Sequence, residues 1–232
     1  MTGLSGRSKG VVAVSPSPTS GQTAVRVLFI LDRLGDACAD WPQVPDTAVR
    51  AIQSQRKLQK LDFLVRNPDF LADLIISRWQ DGSLSAERLL DARAVFKERE
   101  PELHTYRMLR NDHGAYEALD NALSVLRHLG LIAVRRAGRV SDERVRRRDY
   151  FLLQAGADQA QRLRDTEEVL AWYDQQTAYV AAAVEGMTGA QLKEQQYGQP
   201  EYAATPVHQM IGGITERVRE RLDAALAQEG LA

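Results

Sequence analysis

Apolar positions recur every three to four residues along most of this chain, a spacing that predicts a mainly helical protein. Val25, Leu28, Phe29, Ile30, Leu31 and Leu34 form a dense apolar face over three turns, and Gly35 can end the helix. A short buried strand is the rival reading there, but the interleaved Arg26, Asp32 and Arg33 favour helix. A proline-marked loop follows, with Trp41-Pro42 and Val44-Pro45. Asp46 or Thr47 is then placed to cap a helix over 47–66 whose inward residues are Leu58, Leu61, Phe63, Leu64 and Val65. Asn67-Pro68 breaks that helix, because the residue before a proline avoids the helical region. Pro68 suits the first position of the next helix, 68–79, with Asn67 as its cap. Asp81-Gly82-Ser83 reads as a turn, and Ser85 starts another helical stretch carrying Leu89, Leu90, Ala94 and Val95. Pro101 interrupts it, and 104–110 is expected to continue as a short helix.

The pattern changes after the turn at Asp112-His113-Gly114. Tyr116, Leu119, Ala122, Leu123, Val125, Leu126 and Leu129 keep a helical period, and Gly130 closes the helix. Two β-prone runs follow, Leu131-Ile132-Ala133-Val134 and Tyr150-Phe151-Leu152-Leu153. They are separated by a polar connector, so they read as a hairpin with a long tip. Helix resumes over 158–184, until Gly186 and Gly189 interrupt it. An irregular segment runs from Gly198 to Pro206. A last helix is expected over 207–228, with Ile211, Ile214, Val218, Leu222, Ala225 and Leu226 in one stripe.

Composition narrows the class. Residues 1–22 are rich in Gly, Ser, Thr and Pro and read as a flexible tail. The apolar run Val11–Val14 is too short for a secretory signal, and no stretch is long enough to span a membrane, so the expected location is cytoplasmic. Cys38 is the sole cysteine, which excludes an intramolecular disulfide or a cysteine-built zinc site, and it reads as a small packed residue. The organisation expected is therefore a tail at 1–22, a principal domain at 23–165 and a C-terminal helical extension at 166–232.

Charge adds the main chemical clue. The chain carries 30 basic and 31 acidic residues for a net charge of −1, and 25 of the basic residues are arginine. Seven of these fall between positions 135 and 148: Arg135, Arg136, Arg139, Arg144, Arg146, Arg147 and Arg148. Only Asp142 and Glu143 oppose them, so the tip holds +5 and the rest of the chain −6. Such a loop attracts a polyanion, and the planar guanidinium fork suits phosphate. Nucleic acid is the natural partner, while an acidic protein face or a plain solvated loop is the competing reading. On the preceding helix Asn121 and Arg127 can reach base edges, whereas Glu117 and Asp120 repel phosphate. The combination suits backbone tracking without sequence specificity better than sharp base readout.

Two resemblances rest on these residues. The order helix, Gly130, strand, basic tip, strand, helix over 116–164 resembles the second half of a winged helix-turn-helix domain. Leu123-x-x-Leu126-x-x-Leu129-Gly130-Leu131-Ile132 and the return Tyr150-Phe151-Leu152-Leu153-x-x-Gly156 look like the recognition helix and wing of MarR-like and PadR-like regulators. The string from Arg56 to Leu71, Arg-Lys-Leu-Gln-Lys-Leu-Asp-Phe-Leu-Val-Arg-Asn-Pro-Asp-Phe-Leu, is similar to a segment of the middle component of bacterial ABC three-component systems. Val27 to Leu34 suits that family as well. The resemblance implies a mainly α winged-helix protein with helical extensions at both ends. It implies an accessory subunit, without catalysis of its own, that binds an SMC-like ATPase in defence against phage, with DNA contacted through the basic wing. A homodimeric MarR-like or PadR-like transcription regulator is the alternative. The residue-level reading of 56–71 is plainer: an apolar core face, with Arg56, Lys57, Lys60 and Arg66 on a solvated basic face.

Signatures of catalysis are lacking. The chain has no phosphate-binding glycine loop, no H-E-x-x-H and no G-x-S-x-G. No cofactor, metal site or catalytic residue is therefore expected, and an enzyme would need a pocket gathering His104, Asp112 and His113. Asp165, Glu167 and Glu168 read as a solvated face, as does the alternation of Glu and Arg from Glu216 to Arg221. The two C-terminal amphipathic stretches can complete the core, pair two copies of the chain, or bind the ATPase.

Overall fold

A computed structural model describes residues 19–96, 108–111, 114–116, 118–137 and 147–231. The tail expected at 1–22 lies outside these residues except for its last four positions. The same holds for Pro101, for 104–107 of the short helix expected there, for the turn at Asp112-His113, for Glu117, and for the tip at 138–146. The described chain is mainly helical, with ten α-helices and a small three-stranded antiparallel sheet.

Helix α1 (Ser20–Leu34) opens on a reciprocal cap, in which the Thr19 hydroxyl accepts from the Gln22 amide and the Gln22 side chain accepts from the Thr19 amide. It is the central element of the core, with Val27, Phe29, Ile30 and Leu31 fully buried. Strand β1 (Ala48–Gln53) comes next, where the sequence pattern predicts the first part of a helix. The long helix expected over 47–66 is thus a strand followed by α2 (Gln55–Arg66). Ser54, at φ +69°, makes the corner between them, and its hydroxyl caps α2 by accepting from the Lys57 amide.

Helix α3 (Pro68–Gln80) starts at Pro68 as expected, although Asn67 works differently from its predicted role. Its side-chain amide donates back to the Phe63 carbonyl at 2.7 Å and closes α2, leaving α3 without a side-chain cap. Helix α4 (Arg88–Ala94) and the hairpin β2 (Leu109–Asn111) and β3 (Gly114–Tyr116) precede α5 (Asp120–His128). Residues 109 and 110 are therefore strand where a short helix is expected, and Tyr116 belongs to β3 rather than to the following helix. The edge of β2 is occupied from an unexpected direction. The chain at 208–211 runs alongside it, with the Arg110 amide donating to the Gln209 carbonyl and the Ile211 amide to the Met108 carbonyl.

Strands β4 (Ile132–Ala137) and β5 (Arg147–Leu153) form the expected hairpin, and β1 pairs with β5 to give the order β1-β5-β4. Helix α6 (Gln154–Thr166) follows. The helix expected to run on to 184 instead breaks at Glu167, makes one 3₁₀ turn at Glu168–Leu170, and resumes as α7 (Ala171–Val184). The break sets the Arg164 guanidinium 2.6 Å from Asp174. Helices α8 (Gly189–Gly198) and α9 (Pro200–Ala204) lie partly where an irregular segment is expected.

Helix α10 (Thr215–Gln228) begins eight residues later than its apolar stripe suggests. Ile211 and Ile214 are buried, but from extended chain. Buried Asp69 of α3 accepts from the Ile214 amide at 2.7 Å and from the Thr215 hydroxyl, so α10 starts where a carboxylate holds the residue before the helix and the first residue in it. The face of α10 expected to be solvated is also partly turned inward, since Arg217 and Arg221 reach buried Asp73. One continuous apolar cluster joins α1, α2, α3 and α5 to Tyr173 and Val180 of α7 and to Val218 and Leu222 of α10. A smaller one, on the opposite face of the sheet, packs Cys38 and Ala51 against Phe151. Burial raises the Cys38 thiol pKa above its ordinary value, in line with a packed residue.

Candidate nucleic-acid interface

The hairpin leaves α5 through one tight turn. Gly130 sits at φ +67°, and the Leu131 amide donates to the Leu126 carbonyl at 2.9 Å, the closing bond of a helix end that uses a left-handed residue. The far side of the hairpin is fixed by Gly156. A Cβ there would lie 2.3 Å from the Leu131 carbonyl oxygen and 2.7 Å from Leu152 Cδ1, so the start of α6 presses directly on the α5–β4 connection. The Leu153 amide donates to the same carbonyl at 3.0 Å. Glycine therefore serves both ends, supplying the left-handed turn at 130 and the close approach at 156.

Register then places the arginines. Arg136 stands opposite Arg148, Arg135 opposite Asp149, and Ala137 opposite Arg147. Arg136 and Arg148 continue the face whose inner pairs, Val134 with Tyr150 and Ile132 with Leu152, enter the main core. Two guanidiniums directly opposite one another repel, and a sheet gains nothing from that pairing by itself. Arg148 lies 3.5 Å from Asp120 at the start of α5, an exposed pair of little energetic value. On the other face Arg147 is held by Asp149 through two parallel hydrogen bonds of 2.7 and 2.9 Å. Asp149 is buried and also accepts from the Ser54 amide, so this pair ties the hairpin to the β1–α2 corner. Arg135 and Arg136 are exposed and form no ion pair with a described residue.

Helix α5 buries Ala122, Leu123 and Leu126 and exposes Asn121, Ser124, Arg127 and His128. Ser124, Arg127 and His128 face the free edge of β4 across an open groove of ≈ 490 Å³ whose far wall includes Ala133 and Arg135. The structure thus brings Arg127 and Arg135 to one groove, and it leaves Asn121 on the exposed flank of α5 outside it. Of the nine residues expected to contact nucleic acid, Arg135, Arg136, Arg147, Arg148, Asn121 and Arg127 are placed as described. Arg139, Arg144 and Arg146 lie outside the described residues. Sequence reasoning missed the pairing of Arg147 with Asp149. A base and an acid two residues apart on a strand share a face, and that spacing was the available signal.

The second basic face expected, on α2, is only half present. Arg56 is exposed and Lys57 pairs with Asp36 at 2.8 Å, whereas Lys60 and Arg66 are buried. Among the described residues no group of three or more His, Cys, Asp or Glu could hold a metal ion. His104, Asp112 and His113 lie outside the described residues. No helix among the described residues is long and apolar enough to cross a membrane. Compared with models of known protein families, with curated proteins and with solved structures, the chain matches none of them.

Proposed function

We propose that α1, β1, α2, α5, β4 and β5 form a winged helix, and that the chain is a DNA-contacting, non-catalytic accessory subunit of an SMC-like ATPase complex. The sheet order β1-β5-β4, with α5 leading into the hairpin, supports the winged-helix reading. The single observation that carries the DNA reading is the facing of Arg136 by Arg148 beside the exposed flank of α5. That juxtaposition is unfavourable in the free protein and becomes favourable when a phosphate lies between the two forks. The contact tracks the backbone, because the arginines grip phosphate while Asp120 keeps the start of α5 from close approach. The ATPase reading rests on the resemblance carried by 56–71, whose apolar positions are core residues of α2 and α3.

Two measurements test the proposal. Anisotropy titrations of labelled duplexes at several salt concentrations read the DNA contact. Arg136→Ala with Arg148→Ala should weaken all sequences alike and lower the salt slope by about 2, roughly one for each phosphate no longer neutralised. An unchanged slope overturns DNA contact at this end of the hairpin. A pull-down of the tagged full chain from its own cells should recover a large ATPase. Recovery of a homodimer alone, with tight preference for one palindrome, would replace the accessory subunit with the regulator.

A further inference from the structure

Helices α2, α3 and α8 line a small, partly open cavity of ≈ 30 Å³, on a different part of the fold from the hairpin. Its walls are mostly apolar, with Phe63 and Leu64 from α2, Phe70 and Leu74 from α3 and Leu192 from α8. Four polar residues complete the lining, Lys60, Gln195, Gln196 and Gln199, and of these Lys60 and Gln196 are each only 7% exposed. Lys60 has no ion pair or hydrogen bond with any described residue. The charged groups acting on it, Arg56 and Lys193, are both cationic, and together with burial they lower its pKa. Gln196 is in a matching position, since neither Nε2 nor Oε1 has a hydrogen-bond partner among the described residues. The neighbouring Gln199 is satisfied, donating to Asp73 and accepting from Arg217 at 2.9 Å, so that acid is already engaged on the far side of the amide.

A sealed amide with neither atom partnered costs free energy in an empty protein, and beside it Lys60 has a buried stem and no anion among the described residues to pair with. Apolar residues of similar volume would fill the same space at no such cost. We propose that this cavity binds a short aliphatic carboxylate. The carboxylate takes the Lys60 ammonium and the Gln196 Nε2–H, and the alkyl end lies against Phe63, Phe70 and Leu192. Size sets the class. By the measure in which one water needs about 10–15 Å³, the cavity holds two or three water-sized centres, so only the shortest acids, of about two or three carbons, suit it. The local positive potential from Lys60, Arg56 and Lys193 selects the anion over the neutral amide or the amine.

The test is a calorimetric and amide-NMR titration of the full chain with propionate, propionamide, propylamine and inorganic phosphate. Propionate should bind, with amide shifts centred on α2 and α8, and at least about tenfold more tightly than propionamide. Lys60→Met should abolish that preference while leaving the melting temperature unchanged or raised, because it keeps the buried stem and removes a charge that has no partner in the empty protein. Gln196→Leu gives an independent check that retains the charge, and it should weaken propionate severalfold. The proposal is overturned if propionate does not bind the folded protein in the millimolar range or if propionamide binds equally well. It is also overturned if phosphate is preferred, or if both variants bind propionate like the parent.

Discussion

Arginine serves two purposes in this molecule, and the β4–β5 hairpin and the helical body use it in different proportions. In the body, several arginines reach acids, some of them fully buried. Arg26 meets Asp62 at 2.6 Å with both side chains essentially sealed from solvent, Arg217 and Arg221 converge on buried Asp73, and Arg164 bridges Asp32 and Asp174. At the β4–β5 hairpin, Arg135 and Arg136 face solvent, Arg136 faces another arginine, and among the described residues only Arg147 has a buried acid as partner. The excess of arginine over lysine therefore says nothing about partners until each guanidinium is placed. The same comparison explains the charge split. Part of the acid that makes the body negative is consumed in holding arginines inside it.

The largest effect should come from breaking a body pair. Asp62→Ala leaves the Arg26 guanidinium without its short partner in a site closed to water, and should cost about 3–5 kcal/mol in urea unfolding. A loss below about 1 kcal/mol would show that the body's arginines are no more tightly held than those at the surface. A smaller loss tests how the wing is fixed. Gly156→Ala drives a methyl group into the Leu131 carbonyl and should cost about 1–3 kcal/mol. If it leaves stability unchanged, the junction between α6 and the hairpin has room for a methyl group after all.

Acid should separate the two regions further. Burial pushes the Asp174 carboxyl upward, but the guanidiniums of Arg164 and Arg33 outweigh it and hold its pKa below the ordinary value. Glu201 is held down in the same way by Arg217. For a carboxyl with a depressed folded-state pKa, the unfolded chain binds the proton first. Its stabilisation is complete above the ordinary carboxylate pKa and is lost as pH falls through the folded-state value. Unfolding measured from neutral to acid pH should therefore show a decline below about pH 4. Asp174→Asn should flatten it. An unaltered profile in that variant would detach these carboxylates from the body's stability.

The hairpin, its Gly130 turn and the helices α1, α3 and α5 were legible in the sequence, because period and punctuation agree there. Strand β1 was not. Its six residues hold only Val49 and Ile52 as strong strand formers, and its partner β5 lies about a hundred positions away, so local pattern runs straight into α2. The start of α10 failed for a related reason. Ile211 and Ile214 are three apart, as on a helix, but that segment is drawn straight by the edge of β2 and by Asp69, both distant in sequence. The same limit hid the inward turn of Arg217 and Arg221. Alternating charge on a helix says which residues share a face, and only packing decides whether a buried acid waits opposite it.

The smallest effect on stability is the most telling for the comparison. Arg136→Ala removes one of two like charges placed directly opposite each other, so it should change stability by no more than about 0.5 kcal/mol, and toward greater stability if the repulsion is felt. Arg147→Ala, on the neighbouring strand, strips buried Asp149 of its bidentate partner and should cost more. For DNA the order should reverse, because Arg147 is already engaged by Asp149 while Arg136 is free to meet phosphate. Paired measurements of unfolding free energy and duplex affinity on the two variants should thus cross. Parallel losses in both would erase the distinction between an arginine that holds the fold and one that is kept for a ligand.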